Sequence, residues 1–349
     1  MNIGFIGLGK MGTPMTKNLI NAGYKVNIYD KNQSAFKPLI DIGARKQNSI
    51  KDVGKSSDCI FIMVYPPENV SEIIFEKNKG LRAGIRMHRT NNENKEPTII
   101  IDGGNADYLK SMDIGQKLGK YGIHYMDVGF SGGPIEAEKA NLAAFVGGSR
   151  NDFNKIHSLL TCLCDKHRIN YVGETGSGHF AKVIAHNTTQ YGIMGVLGEI
   201  ESLSNKVGDH KKIMQAVNSG LAETKLGALY LKLTNEQIEN SGCKIDVTQN
   251  AAKLAIREAK KHGIGMPMIT TIYYLRKISE ELYESNSICE TTKNNMVEDI
   301  LSQLDMLSKE QQKKGTVRSM AIQAQLRKAF GGHKAYERKK PDSTNDNNL

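Results

Sequence analysis

The sequence predicts an α/β N-terminal domain built on a doubly wound parallel sheet, followed by an all-α C-terminal domain. Three observations predict it. Short, nearly continuous apolar runs alternate with helical stretches up to about residue 174, the pattern of parallel strands covered on both faces. A glycine turn, Gly7-Leu8-Gly9-Lys10-Met11-Gly12, joins the first apolar run to the first helical stretch. Past residue 174 the strands stop, and apolar residues recur at helical spacing.

Taken in order, MNIGFIG reads as the first strand, and TPMTKNLINAGY as a helix with Pro14 in its first turn. YKVNIYD is the second strand, CIFIMV a later one, TIIIDGG (98–104) another, and HYMDVGF and NLAAFVGG close the set. Segment 78–97, NKGLRAGIRMHRTNNENKEP, is polar, basic and asparagine-rich where an α/β domain needs only a short loop, and it is expected to be a mobile surface insertion. Helical periodicity covers 178–206, 209–233, 247–262, 267–284 and, in broken form, 291–330. The expected organisation is a domain over 1–174, a helical domain over 175–336 and a disordered tail over 337–349 ending KKPDSTNDNNL.

A chain of 349 residues can bury two moderate cores. The net charge of +10 invites a nucleic-acid reading, but much of it sits in KEQQKK (309–314) and KAYERKK (334–340), without any nucleic-acid motif. Attraction of an anionic small substrate accounts for it at least as well. The five cysteines form no paired framework, and the lone Cys162-x-Cys164 lacks partner ligands for a zinc site. No metal is expected. No apolar run approaches the roughly 20 residues of a membrane span. With Met1 leading directly into a strand, no signal peptide is expected and a cytoplasmic location is.

The glycine turn carries chemistry because of its setting. It follows a strand, opens a helix, and has Asp30 at the end of the next strand, the arrangement of a Rossmann-type dinucleotide site. Gly7 makes the tight turn, Gly9 lets backbone approach a pyrophosphate, and Gly12 permits close helix–strand packing, with Leu8, Lys10 and Met11 completing the cradle. The carboxylate of Asp30 can accept hydrogen bonds from both ribose hydroxyls and would repel a 2′-phosphate. In the following Lys31-Asn32, the Lys31 charge offsets that repulsion only in part. NAD is therefore the expected cofactor, with NADP second.

The run GSGHFAKVIAHNTTQYG (176–192) sets Lys182, His186, Asn187, Gln190 and Tyr191 along about four turns of one helix. Together with IIIDGGNADY, DVGFSGG and the C-terminal LRKAFGGH, it resembles the 6-phosphogluconate dehydrogenases of the β-hydroxyacid dehydrogenase superfamily, in the shorter, NAD-preferring branch. The resemblance covers about residues 1–336. It implies Lys182 as general base, Asn187 as the residue orienting substrate, and Gln190 at the position of the family's glutamate acid. It implies substrate contacts from Asn105, from Ser131-Gly132-Gly133 and from His186 and Tyr191. Lys253, Arg276, Arg327 and His333 fall at or near the family's other substrate residues, the last two reaching a neighbouring subunit of a homodimer or homotetramer. The turn Val64-Tyr65-Pro66 falls where the family touches the nicotinamide half, and Asn105 where cofactor and substrate are bridged.

The implied reaction is NAD-dependent oxidative decarboxylation of 6-phosphogluconate, a small phosphorylated sugar acid, to ribulose 5-phosphate and CO₂ in the pentose phosphate pathway. Four departures keep two other readings open. The serine after Asn105 is Ala106, Glu136 follows the SGG turn, one residue is extra between Lys182 and His186, and Gln190 is a neutral amide. The extra residue puts Asn187 at i+5 from Lys182, well off its face in a regular α-helix, and a single π-bulge there would restore the alignment. A neutral amide cannot cycle the proton that an enediol needs after decarboxylation. The chain then reads either as an NAD-binding homologue with weak or no catalysis, or as a dehydrogenase that oxidises another β-hydroxyacid without decarboxylation.

Overall fold

Every strand read from the sequence is present, and its residues explain its place in the sheet. In the computed structural model, which describes residues 1–91, 96–190, 192, 212, 245–285 and 289–313, the first apolar run is β1 (Asn2–Ile6) and the glycine turn leads into α1 (Gly12–Asn21). There follow β2 (Lys25–Tyr29), α2 (Lys37–Ile40), β3 (Arg45–Lys46), α3 (Ile50–Ser56), β4 (Cys59–Ile62), α4 (Asn69–Phe75), α5 (Leu81–Asn91) and β5 (Ile99–Asp102). Then come α6 (Tyr108–Gly119), β6 (His124–Ser131), α7 (Pro134–Glu138), β7 (Leu142–Gly147), α8 (Arg150–Thr161), β8 (Cys164–Gly173) and the short α9 (Ser177–His179).

The eight strands form one sheet in the order β3-β2-β1-β4-β5-β6-β7-β8. Pairing is parallel throughout except between β6 and β7. Side chains alternate across a strand, and both faces here are covered. Ile3, Phe5, Cys59, Phe61, Ile99 and Ile101 pack on one face against Met15 and Leu19 of α1 and Ile156 and Leu160 of α8. Ile6, Ile60, Ile62 and Ile100 pack on the other against α4, α5 and α6. Burial on both faces is why these strands read as unbroken apolar runs.

The two strands that sequence reading missed are the two edges. β3 is only two residues long, and β8 carries Asp165, Lys166, His167 and Arg168 in its first half. Short length and charge guard a sheet edge against pairing with another chain, and they also erase the strand signature.

The expectation of a mobile insertion at 78–97 is corrected. Most of it is the helix α5, whose Leu81 and Ile85, one turn apart, are fully buried. Its tight seat on α3 explains the two glycines at the crossing. A Cβ on Gly84 would lie 2.0 Å from the carbonyl oxygen of Lys51, and one on Gly54 2.7 Å from that of Leu81. The arginines tie the helix down as well: Arg82 lies over the Tyr121 ring, and Arg89 donates to the Tyr121 carbonyl at 2.9 Å.

The chain divides into two compact units, Met1–Gln190 and Tyr191–Leu349. All described elements of the second are helical: α10 (Ile245–Lys261), α11 (Pro267–Ser285) and α12 (Glu290–Lys313). Lys260 meets Asp299 at 2.6 Å and the Met266 N–H donates to Gln303 at 2.8 Å. Among the described residues no helix is long and apolar enough to cross a membrane.

Candidate active site

The glycine turn has the geometry that a dinucleotide needs. Gly7 holds φ +96°, and a Cβ there would lie 2.1 Å from the carbonyl oxygen of Met63. At Gly12 it would lie 1.8 Å from the carbonyl oxygen of Gly7, so α1 can begin against the strand only with glycine at this position. Gly9 is exposed, with no neighbouring atom within 4 Å of where a Cβ would stand, and leaves the approach to the α1 N-terminus open. Asp30 sits where β2 ends. Its carboxylate accepts from the Leu8 N–H at 2.6 Å and the Asn32 N–H at 2.7 Å, which locks the turn and the strand end together. Lys10, Lys31 and Asn32 are exposed around it, Met11 and Val64 half-buried, and Tyr65 and Pro66 project into solvent, Tyr65 at 70 % exposure.

The loop after β5 is fixed from beneath. Asp102 is fully buried, accepts from the Gly104 N–H at 3.0 Å and takes the Tyr125 hydroxyl at 2.6 Å. Burial, with Asp102 beside it, pushes the Tyr125 phenol well above its ordinary range, so it stays a donor. Asn105 then stands exposed at the tip, while Ala106 is buried.

At the far end of β6, Ser131 is half-buried and Gly132 takes φ +128°. Of the backbone N–H groups of Ser131-Gly132-Gly133, that of Gly133 is engaged within its own turn. The Gly133 N–H already donates to Glu136 at 2.7 Å, because Glu136 occupies the third position of α7 and its side chain reaches back to the N-cap N–H.

The helix following β8 begins as α9 and continues as a π-helix over Phe180–His186 and as α-helix to residue 190. Its start is anchored on the buried Asp127 of β6, which accepts from the Gly176 and His179 N–H groups, each at 2.7 Å. It can lie this close only because of glycine on both sides. A Cβ on Gly178 would meet the Asp127 carbonyl oxygen at 2.2 Å, and one on Gly129 the Lys182 Cβ at 2.2 Å. His179 is wholly buried, with Nδ1 2.7 Å from the Ser111 hydroxyl.

The π-helix accommodates the extra residue. Asn187 donates its N–H to the Lys182 carbonyl, an i→i+5 bond, and five residues then make about one turn where an α-helix would leave Asn187 about 140° away. Lys182, His186 and Asn187 consequently converge. Lys182 Nζ lies 3.2 Å from His186 Nδ1, His186 Nε2 3.2 Å from Ser131 Oγ, and Asn187 Oδ1 3.3 Å from His186 Nδ1. Lys182 is only 8 % exposed, and burial lowers its amine to about 8. The His186 imidazole is lowered too, first by burial and then by the nearby Lys182 charge.

Lys182, His186, Asn187 and Ser131 are thus brought together. Gln190 is half-buried at the close of the first unit. Lys253 is exposed on α10 in the second unit, and Arg276 lies within α11. Tyr191, Arg327 and His333 lie outside the described residues. Sequence reasoning missed Asp127, Gly129 and His179; all three stand inside motifs it quoted, DVGFSGG and GSGHF, and a polar residue in an apolar strand was the available signal.

A strand–glycine turn–helix cradle and, in the same compact unit, a buried, lowered lysine amine define a dinucleotide-dependent oxidoreductase. Residues 2–173 match the NAD binding domain of 6-phosphogluconate dehydrogenase. The chain is 28 % identical to the 2-hydroxy-3-oxopropionate reductase of Escherichia coli (strain K12), over 78 % of this chain and 88 % of that protein. It is 31 % identical to the Bacillus subtilis (strain 168) protein YqeC, whose name carries an unproven 6-phosphogluconate dehydrogenase assignment, over 63 % of this chain and 71 % of that one. It is 30 % identical to the mitochondrial 3-hydroxyisobutyrate dehydrogenase of Bos taurus, over 62 % and 60 %. The chain belongs to the β-hydroxyacid dehydrogenase superfamily, and its first domain is an NAD(P)-binding domain of the 6-phosphogluconate dehydrogenase type.

These relatives correct the reading as a decarboxylating 6-phosphogluconate dehydrogenase of the pentose phosphate pathway. The E. coli and bovine relatives are a semialdehyde reductase and a hydroxyisobutyrate dehydrogenase, acting on small acids without phosphate. The inferred phosphorylated substrate is withdrawn with it. The glycine turn, the DGGN and SGG loops and the lysine helix therefore pointed to the superfamily and not to the branch.

Proposed function

We propose that this protein is an NAD-preferring, non-decarboxylating β-hydroxyacid dehydrogenase that interconverts a small 3-hydroxy acid and its semialdehyde. One observation carries the reading: a buried lysine amine lowered to about 8, one helical turn from an asparagine, in a helix whose eighth residue beyond that lysine is a neutral glutamine. Alcohol oxidation needs a base for one hydroxyl proton. It needs no acid to protonate an enediol, so Gln190 is no obstacle.

Gly7, Gly9 and Gly12 would hold the pyrophosphate, Asp30 the adenosine ribose, and Val64-Tyr65-Pro66 with Asn105 the nicotinamide half. The bound dinucleotide supplies the hydride acceptor. Lys182, in its neutral form, takes the hydroxyl proton, and returns it to the carbonyl oxygen in the reductive direction. Asn187 orients the reacting oxygen. The Gly132 N–H receives the substrate carboxylate; Glu136, already on the Gly133 N–H, takes the next donor of that turn out of use.

The test is reduction of 2-hydroxy-3-oxopropionate with NADH or NADPH, and oxidation of 3-hydroxyisobutyrate with NAD or NADP, using purified full-length protein. Turnover with either pair, favouring NAD and lost about 10²–10⁴-fold in Lys182→Met, is expected. Cofactor binding with no turnover of any 3-hydroxy acid would sink the proposal.

A further inference from the structure

The hydrogen bonds around Lys182 continue beyond it. Lys182 Nζ reaches His186 Nδ1 at 3.2 Å, and the other ring nitrogen reaches Ser131 Oγ at 3.2 Å. Lys182 is buried, His186 is half-buried, and Ser131 is half-buried at the strand end beside the exposed Gly132. The three groups therefore run from inside to outside. A buried lysine that accepts a proton in each catalytic cycle must also lose it, and its own exposure to water is slight.

We infer that His186 and Ser131 form the proton exit of Lys182, a relay from its amine through the imidazole and the serine hydroxyl to solvent. The inference rests on the dehydrogenase reading of the same site. In the oxidative direction the substrate C–H bond breaks, its hydride passes to the nicotinamide ring of NAD, and the hydroxyl proton passes to neutral Lys182, leaving a carbonyl and an ammonium. The ammonium donates a proton to His186 Nδ1 as Nε2–H releases one to Ser131 Oγ. The serine hydroxyl proton goes to water. Reduction runs the same path inward.

Both tautomers of His186 have partners, which is what a relay requires. With Nδ1 bare, the ring accepts from Lys182 and donates from Nε2 to Ser131. With Nδ1 protonated, it donates to Asn187 Oδ1 at 3.3 Å. Other groups facing the ring are Arg168 of β8, whose charge disfavours a lasting imidazolium, and the Phe145 ring of β7, whose centroid lies 5.6 Å away. Burial and the charges of Lys182 and Arg168 all disfavour the imidazolium, so the ring favours passing a proton over holding one.

The experiment compares wild type with His186→Gln and Ser131→Ala. His186→Gln keeps a polar side chain but cannot relay; kcat is expected to fall about 10–100-fold with KM within about threefold, within the range of general acid–base effects. Added imidazole should restore kcat in a concentration-dependent way, and Ser131→Ala should show a smaller loss with the same rescue. A KM rise at unchanged kcat, or a loss that imidazole does not restore, would overturn the relay and leave His186 as a substrate ligand. An independent readout uses histidine-¹⁵N spectra of the cofactor-free protein, with the His186 signal assigned by its loss in His186→Gln. The Nε2–H tautomer should dominate in wild type and give way to Nδ1–H in Lys182→Met; identical tautomers in both would also overturn it. Absence of wild-type turnover with any hydroxy acid would instead count against the dehydrogenase reading, with the spectra still deciding whether the hydrogen-bonded chain exists.

Discussion

Replacing Lys182 by methionine should destroy activity and yet stabilise the protein. Burial lowers the amine from an ordinary 10.5 to about 8. At pH 7 about a tenth of the population then carries the free base, against about 3 in 10,000 for a solvated lysine, so burial raises the reactive form about 300-fold. The same difference is a cost of folding. The folded amine binds its proton less tightly than the unfolded one, so the unfolded state holds more protons between pH 8 and 10.5, and stability rises with pH across that window. Below about pH 8 the full cost of about 3 kcal/mol is present, and by pH 9.5 it shrinks to about 1 kcal/mol. Methionine fills similar space without a charge, so Lys182→Met should raise the thermal midpoint at pH 7 by about 5–10 °C, with the gain falling as pH rises. Calorimetry of both proteins at pH 7, 8.5 and 9.5 measures this. A variant that is less stable at pH 7, or equally shifted at all three values, would refute the argument that desolvation sets the amine.

Three other outcomes follow from the same geometry. Gly129→Ala would press a Cβ to 2.2 Å from the Lys182 Cβ, so turnover should fall at least tenfold while NADH affinity, measured by fluorescence titration, stays within about threefold. Asp30→Ala removes the carboxylate that repels a 2′-phosphate and also unlocks Leu8; NAD affinity should drop about tenfold and the NAD-to-NADP ratio should approach one in paired titrations. Asp127→Asn leaves the first turn of α9 with a weaker acceptor. It should cost about 1–3 kcal/mol in stability and lower kcat, read by chemical denaturation beside steady-state kinetics.

The fold was legible because parallel strands covered on both faces cannot disguise themselves. Ile60-Phe61-Ile62 and Ile99-Ile100-Ile101 must be apolar at every position, and the Gly7–Gly12 turn demands glycine because a Cβ at Gly12 or Gly7 would stand 1.8 or 2.1 Å from a carbonyl oxygen. What escaped was governed by partners distant in sequence. The edge strand β8 reads as DKHR because solvent, not a core, faces it. Helix α5 reads as a polar insertion because its apolar docking rests on Leu81, Ile85 and the glycine crossing, and arginines that look solvated are engaged at Tyr121.

The site shows the same division at finer scale. The one extra residue in GHFAKVIAHN and the neutral Gln190 were visible as departures, but their consequences differ in kind. An insertion inside a helix has a geometric remedy, since i→i+5 bonding returns Asn187 to the face of Lys182 at the cost of one irregular turn. A lost carboxylic acid has no such remedy, because no backbone adjustment makes an amide donate and recover a proton. The structure holds the groups on which the proposed hydride transfer rests, namely the glycine cradle, the buried amine and its hydrogen-bonded neighbours. A chain drifting toward inactivity would lose the destabilising features first. Here Asp127, Gly129 and Gly178 hold the Lys182 helix close against β6, in a setting that lowers its amine while costing stability, as the proposed proton transfer requires.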